Sequence, residues 1–275
     1  QTEAILGESF VLAEMPAENF SSDPYLFSKV GVAAWDHPLY IVLGYALVKA
    51  FSFVDALWLV NFISAMFGAA SVTLVYLIVH RHTDSISASC YAAFALAVSH
   101  TFWWHSSTSE VYTLFVFLLL VSYVLFDEYE RVKQGRYLFT GAFFLGLAAS
   151  NHILAFLAFP AFGFYVLLSK QYPRFEIENL KRSASVIFGF LLGFSLYIIQ
   201  FMRVSASLSI NETVGPAVGS TFLSRLDFFS PTILGNSLLT YAAFLAFQYG
   251  PMGIFLGFLG IRRAFANTEP SVRKV

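Results

Sequence analysis

The sequence has little charge and almost no cysteine. Of its 275 residues, 12% are charged and a single one, Cys90, is a cysteine. One cysteine excludes an intrachain disulfide and a metal site built on cysteine ligands. The formal net charge of −1 offers no excess of basic groups to a polyanion, so we predict no nucleic-acid partner.

Apolar residues take the place of the missing charge. Hydrophobic residues make up 57% of the chain, with 32 phenylalanines and a mean hydropathy of +0.68. A soluble domain has about a quarter charged residues and about half apolar ones. We therefore predict one polytopic integral membrane domain over residues 1–275. The chain begins with Gln1 and no hydrophobic helix precedes its polar N-terminal stretch, which leads us to expect a truncated chain.

Seven apolar runs are candidates for membrane spans. A spanning helix needs roughly 20 mostly apolar residues, and backbone groups in lipid must bond within the segment. The fold class predicted is therefore all-α, a transmembrane bundle of about seven spans, or six with a re-entrant segment. The runs lie near 57–79, 86–103, 111–126, 137–150, 153–169, 183–202 and 241–261.

Positive charge orients these spans. Of the 16 Lys and Arg residues, 12 fall in four segments of the chain, and the other four fall in the polar segments that alternate with these. The positive-inside rule makes 80–82, 127–136, 170–182 and the tail from Arg262 cytoplasmic. The outer segments are then 1–56, 99–110, 151–152 and 203–240, which makes 57–202 the core spans and 241–275 the last span and tail. The run 137–169 is too long for one helix across the bilayer, so we predict a hairpin at Asn151-His152.

The short apolar stretch 38–53 contains Lys49. It is predicted as an interfacial helix in the first extracytoplasmic loop, with a short tilted span as the alternative.

Ionisable and aromatic side chains collect on the outer side of this topology. Ionisable groups at membrane depth are costly and usually functional. Each has an ordinary alternative as a helix cap, a turn residue or, for the tryptophans, an interfacial anchor. Their shared side nevertheless predicts one outer cavity that holds water or an anionic substrate. The candidate binding residues are His37, His100, His105, Glu110, Tyr112, Asn151, His152, Trp103, Trp104, Arg203 and Arg225.

Four stretches in order resemble a known family. They are GVAAWDHPLYIVLG, LVNFISAMFGAASVTLVYLIVHR, AVSHTFWWHSSTSEVYTL and GLAASNHILAF, and they cover about residues 20 to 170. Together they resemble the membrane proteins related to protein O-mannosyltransferases, in the GT-C superfamily of glycosyltransferases. Residues 171–275 are similar to the family only in having apolar spans that end in Arg-Arg.

The resemblance implies an enzyme that moves a sugar from a polyprenyl-phosphate carrier to a protein or glycan hydroxyl on the extracytoplasmic face, with inversion. An acidic residue of the first outer loop acts as the general base in such enzymes. This sequence departs from the family pattern there, because the His-Pro motif is shortened to Asp36-His37-Pro38. Three catalytic candidates therefore stay open, with Asp23 first, then Asp36 and then Glu8.

Other expectations follow from the resemblance and from the composition. The histidines and Arg203 or Arg225 would bind the leaving phosphate, for which arginine has a planar fork of donors. A Mg²⁺ or Mn²⁺ ion is left open. The bilayer is the plasma membrane or the endoplasmic reticulum. A secondary transporter with an outer His and carboxylate site is the main alternative, and a non-catalytic scaffold is a second one.

Overall fold

The computed structural model describes residues 37–159, 162, 177–205 and 231–266, and every regular element in these ranges is helical. The chain divides into two units. The first comprises Gln1–Val98 and Phe102–Gly219, and the second comprises Ser99–Thr101 and Ser220–Val275. The single domain over 1–275 stays a prediction.

The described helices follow the apolar runs of the sequence. In chain order they are α1 (Pro38–Ala50), α2 (Ala56–Thr83), α3 (Ile86–Ala97), α4 (His100–Ser107), α5 (Tyr112–Val132), α6 (Gly135–Asn151), a 3-10 helix (Ile153–Ala158), α7 (Ile177–Ser205) and α8 (Pro231–Ala266).

Local signals set several helix starts. Pro38 occupies the first turn of α1, where a missing N–H costs nothing. Asp55 caps α2 by accepting from the Trp58 N–H at 2.8 Å. Ser85 caps α3 in the same way through Ala88.

Three helices are long and apolar enough to cross a membrane. They lie at Ala56–Thr83, Tyr112–Val132 and Lys181–Met202. A bent pair, Leu238–Gly250 and Gly253–Arg263, raises the number to four if it counts as one span. α1 is helical as predicted, but it has 13 residues, and its interfacial position stays a prediction, as does the count of about seven spans.

Two predicted boundaries are wrong. The run 86–103 is not one helix, because α3 ends at Ala97 and α4 starts at His100, where polar residues replace the apolar run. The predicted inner loop 127–136 is partly helical, since α5 continues to Val132 and ends on Lys133 in the left-handed conformation with φ 57°.

An ion-pair cluster joins the C-terminal ends of α2 and α5. The Arg81 Nε atom lies 3.1 Å from an Asp127 carboxylate oxygen, and the same guanidinium pairs with Glu128. His82 lies 3.7 Å from Asp127 and hydrogen-bonds to Tyr123. These contacts hold the charged end of α5 in helical form, and they show that α2 and α5 run in the same direction.

α6 and α7 touch through main-chain atoms. A Cβ on Gly193 would overlap the carbonyl oxygen of Phe143, and a Cβ on Gly189 would overlap that of Phe139. From one contact to the next, the residue number increases in both helices, so α6 and α7 are parallel. Small residues at such a seam allow the close backbone approach that packs helices in membranes.

The chain must therefore reverse between α6 and α7. It does so at His152, after which the 3-10 helix begins, and the ring of Phe162 lies 5.1 Å from that of Phe126 near the Arg81 cluster. The reversal predicted at Asn151-His152 is present.

In the second unit, α8 is broken. Gly250 has φ 65° and ψ 171°, and the two arms differ in direction by 101°. The last span, predicted near 241–261, therefore stays a prediction: the run is helical, but it bends at Gly250, which adopts a backbone conformation that L side chains disfavour. The predicted outer loop 203–240 already becomes helical at Pro231.

Candidate functional site

His37 is held where α1 begins. It occupies the N-cap position of α1 but makes no side-chain cap bond. Instead its ring Nδ1 donates to the backbone carbonyl of Asn151 at 2.6 Å, since a carbonyl oxygen can only accept. This bond joins residues 114 positions apart and ties the start of α1 to the end of α6.

Asn151 is the hub of this arrangement. Its side chain is fully buried and donates from Nδ2 to the carbonyl of Val111 at 2.9 Å. Asn151 therefore links three helices. Its carbonyl bonds to His37 at the start of α1, its side-chain amide bonds to Val111 just before α5, and Asn151 itself is the last residue of α6. Among the described residues, none is a hydrogen-bond partner of the Asn151 Oδ1 atom.

Aromatic and imidazole rings form a continuous row beside the hub, defined here as the ring row. The ring of His152 lies 4.8 Å from that of His37 and 5.3 Å from that of Tyr112, between centroids. Tyr112 in turn lies 4.6 Å from His105, and Phe115 lies 5.5 Å from His152. The row thus joins α1, α4, α5 and the turn after α6.

A buried hydroxyl network supports the row. The Tyr40 hydroxyl lies 3.1 Å from Ser64 Oγ and 3.0 Å from Ser109 Oγ, and these three residues are buried. Ser64 also donates to the Glu110 carbonyl and accepts from the Glu110 N–H. The backbone of Glu110 is therefore fixed by α2, two residues before Tyr112.

Burial sets the charge state of the site. It lowers the pKa of His37 to about 4, against a smaller opposite effect of the Asn151 carbonyl. Burial also lowers the pKa of His105 and raises the pKa of Glu110. A low-dielectric environment disfavours charge on all three groups, so His37 is neutral near pH 7.

The site lies where several helices begin or end, since His37 precedes α1, Tyr112 is the first residue of α5 and His152 follows α6. Ser64 is eight residues after Ala56, the first residue of α2, which corresponds to about 12 Å along the helix axis. The Arg81 cluster sits at the other end of the same helices. The ring row thus lies at one end of the bundle, with α2 extending past it, while the ion pairs occupy the opposite end.

The structure brings together six of the predicted binding residues. Trp103 and Trp104 are exposed by 59% and 48%, as interfacial anchors would be. His100 belongs to the second unit, where its ring lies 5.4 Å from Phe247. Arg203 is part of α7, and its side chain is outside the described part of the structure, as are Glu8, Asp23, Asp36 and Arg225. The six are His37, His105, Glu110, Tyr112, Asn151 and His152.

Sequence reasoning missed the hydroxyl network. Tyr40, Ser64 and Ser109 each lie within a stretch that carries the family resemblance. The available signal was Ser64, a polar residue in the apolar run of α2. A lone serine in a membrane helix bonds as readily to its own helix as to another one, so the signal is weak.

Removal of the Tyr40 hydroxyl tests this network. Tyr40→Phe should lower the free energy of unfolding by about 1–2 kcal/mol, because Ser64 and Ser109 lose a buried partner. Tyr91→Phe is the matched control, since Tyr91 is 74% exposed and its variant should leave stability unchanged. Thermal unfolding in detergent measures both. Equal effects of the two substitutions would mean that the hydroxyl network contributes nothing.

The low pKa of His37 predicts a pH-dependent stability. Between the ordinary value of 6.5 and about 4, the unfolded chain binds a proton that the folded chain does not. Stability should therefore fall as the pH drops through this window, by on the order of 2–3 kcal/mol from this residue. His105 acts in the same direction and Glu110 in the opposite one.

The difference between wild type and His37→Asn isolates the contribution of His37. Unfolding curves in detergent at about pH 7 and about pH 4.5 should show a smaller loss of stability for the variant. An identical loss in both proteins would show that His37 is not buried as a neutral ring.

These features define a class: a helical membrane protein with a polar and aromatic site at one end of its bundle. The family described as the protein O-mannosyl-transferase TMEM260 N-terminal domain matches residues 36–174, half of the chain. The chain belongs to this family. The ring row and its hub lie entirely inside the matched region.

The chain is also similar to the mouse protein O-mannosyl-transferase TMEM260. The two are 26% identical over 176 residues, which cover 62% of this chain and 24% of the mouse protein. The chain thus spans about a quarter of the length of that relative. No solved structure matches the chain.

Proposed function

We propose that this chain carries the donor-binding core of a membrane glycosyltransferase of the GT-C type. It moves a sugar from a polyprenyl phosphate to a hydroxyl of a protein or glycan acceptor on the extracytoplasmic face. Family membership and the name of the mouse relative support the transferase class. The single observation that carries the assignment to this site is the convergence of His37, Asn151 and His152 at one end of the bundle.

The proposed reaction needs few groups. The acceptor oxygen attacks the anomeric carbon of the sugar from the face opposite the phosphate, the carbon–phosphate oxygen bond breaks, and its electron pair leaves with the phosphate. A carboxylate takes the proton of the acceptor hydroxyl. Hydrogen-bond donors at the phosphate stabilise the leaving group. The sugar ends bonded to the acceptor oxygen with inverted configuration because displacement occurs once.

The choice of base now favours Asp36. It directly precedes His37 in the sequence and lies within the region matched by the family, whereas Asp23 and Glu8 precede that region. All three carboxylates lie outside the described residues, and the proposal of a bound Mg²⁺ or Mn²⁺ ion rests on them as well. In the described ranges no group of three His, Cys, Asp or Glu side chains is placed to hold a metal ion.

The other binding residues take supporting roles. Glu110 and Tyr112 orient the acceptor, and the exposed Trp103 and Trp104 offer ring faces to a sugar or to the bilayer surface. Arg203 and Arg225 are proposed as further phosphate ligands.

One observation favours the alternative of a secondary transporter. Transporters of several folds bind substrate at broken membrane helices, and α8 is broken at Gly250. Two assays on one purified preparation separate the hypotheses. Transfer of radiolabelled sugar from a polyprenyl-phosphate donor to a peptide or glycan supports the enzyme, whereas uptake of free sugar into proteoliposomes without transfer supports the transporter.

A further inference from the structure

The segment between α4 and α5 is held by three other helices. Ser64 Oγ of α2 donates to the Glu110 carbonyl at 3.1 Å and accepts from the Glu110 N–H at 3.0 Å. The neighbouring residues Ser109 and Val111 are hydrogen-bonded to α1 and α6. One buried hydroxyl therefore satisfies both main-chain groups of Glu110 and fixes the place from which its side chain starts.

The Glu110 side chain, in contrast, takes no part in holding the fold. Glu110 directly precedes Val111, the N-cap residue of α5, and a carboxylate near a helix start commonly accepts from the first N–H groups of the helix. Among the described residues, none hydrogen-bonds to or forms an ion pair with the Glu110 carboxylate. The ordinary role of a helix cap therefore does not account for this carboxylate.

Stability does not account for the Glu110 carboxylate either. The residue is partly buried, and burial raises the pKa of Glu110. A carboxylate taken out of water without a partner costs stability, and such groups in membrane proteins usually serve function. Glu110 also lies two residues before Tyr112, whose ring contacts those of His105 and His152. The unused carboxylate thus belongs to the segment that carries part of the ring row.

We propose that Ser64 is a positioning residue of the acceptor subsite, because it fixes the main chain from which the Glu110 carboxylate binds a protein acceptor. This inference rests on the proposed function. An ionised carboxylate only accepts hydrogen bonds, so its partner is a main-chain N–H of the protein beside the hydroxyl that is glycosylated. The proton of that hydroxyl goes to the separate catalytic base. A fixed main chain strengthens binding, since less conformational freedom is lost with the ligand.

A double-mutant cycle tests whether Ser64 acts through Glu110. The variants are Ser64→Ala, Glu110→Ala and the combination of both, and the probe is a short peptide that contains serine and threonine. The affinity of the full chain in detergent is measured for this peptide and, separately, for a short polyprenyl phosphate without sugar. Ser71→Ala is the matched control, because Ser71 is equally buried in α2 but donates to the Phe67 carbonyl of its own helix.

The affinity for the peptide should fall about ten- to hundredfold in Glu110→Ala, which loses a hydrogen bond to a charged group, and about three- to tenfold in Ser64→Ala. Addition of Ser64→Ala to Glu110→Ala should change this affinity little further, because the side chain that Ser64 positions is then absent. The affinity for the carrier should stay at the wild-type value throughout, and Ser71→Ala should bind both ligands like wild type. Ser64→Cys, which keeps a weaker donor and acceptor, should be intermediate.

Four results would overturn the inference: equal losses of peptide affinity from Ser64→Ala with and without the Glu110 side chain, equal losses for peptide and carrier, wild-type peptide affinity in Glu110→Ala, or no peptide binding by wild type. The first two are expected if Ser64 only stabilises the fold. Failure of the proposed function is a separate result. A wild-type chain that binds the peptide yet transfers no sugar to it would remove the transferase, while the cycle would still decide whether Ser64 acts through Glu110.

Discussion

Replacement of Asp36 by asparagine is expected to lower the rate of sugar transfer by about 10²–10⁴-fold. The magnitude is typical for loss of a general base that takes a proton in the transition state. Asparagine keeps the shape of the side chain but cannot accept the proton of the acceptor hydroxyl. The measurement is kcat for transfer from a polyprenyl-phosphate sugar, with binding of the sugar-free carrier measured alongside to show that the site remains formed.

Asp84→Asn is a matched control for Asp36→Asn. Asp84 ends α2 in the left-handed conformation, with φ 51°, beside the Arg81 end of the bundle. Asparagine tolerates this conformation, so the fold and the transfer rate should be retained. Asp23→Asn and Glu8→Gln complete the set. Full activity of Asp36→Asn, Asp23→Asn and Glu8→Gln would refute all three candidate bases.

Gly193→Ala is expected to be the most destabilising of the conservative substitutions. The added methyl group would overlap the carbonyl oxygen of Phe143 and lie 2.8 Å from the backbone nitrogen of Leu147. Rigid main-chain atoms cannot move aside as a side chain would, so α6 and α7 must separate. We expect a loss of about 3 kcal/mol, at the upper end of the usual range for overpacking. Thermal unfolding in detergent and the yield of monodisperse protein report this loss.

Gly257→Ala provides the comparison within another helix. A Cβ there meets no atom within 4 Å. Alanine favours helix over glycine by up to about 1 kcal/mol, so this variant should be neutral or slightly more stable. Similar destabilisation by both substitutions would mean that the effect of Gly193→Ala does not come from contact with α6.

The helices long enough to cross a membrane could be predicted from the sequence. α2 and α5 are continuous apolar runs of spanning length, and the reversal at Asn151-His152 followed from charge on both flanks. The breaks before α4 and at Gly250 were not predictable in this way. Apolar composition continues on both sides of Gly250, and hydropathy is insensitive to backbone direction.

The candidate site was predictable in its membership but not in its bonds. A count of polar residues on one side identified His37, His105, Glu110 and His152. It could not identify which atoms pair, because the His37 bond joins residues 114 positions apart. Ser64, the serine of α2 that fixes the Glu110 backbone, has no feature in the sequence that distinguishes it from other serines in membrane helices.

The main-chain contact between α6 and α7 limits how a lipid reaches the site. With carbonyl oxygens of one helix against glycines of the other, no gap remains for an isoprenoid tail along this seam. The carrier lipid of the proposed reaction would therefore have to enter through a different flank of the bundle.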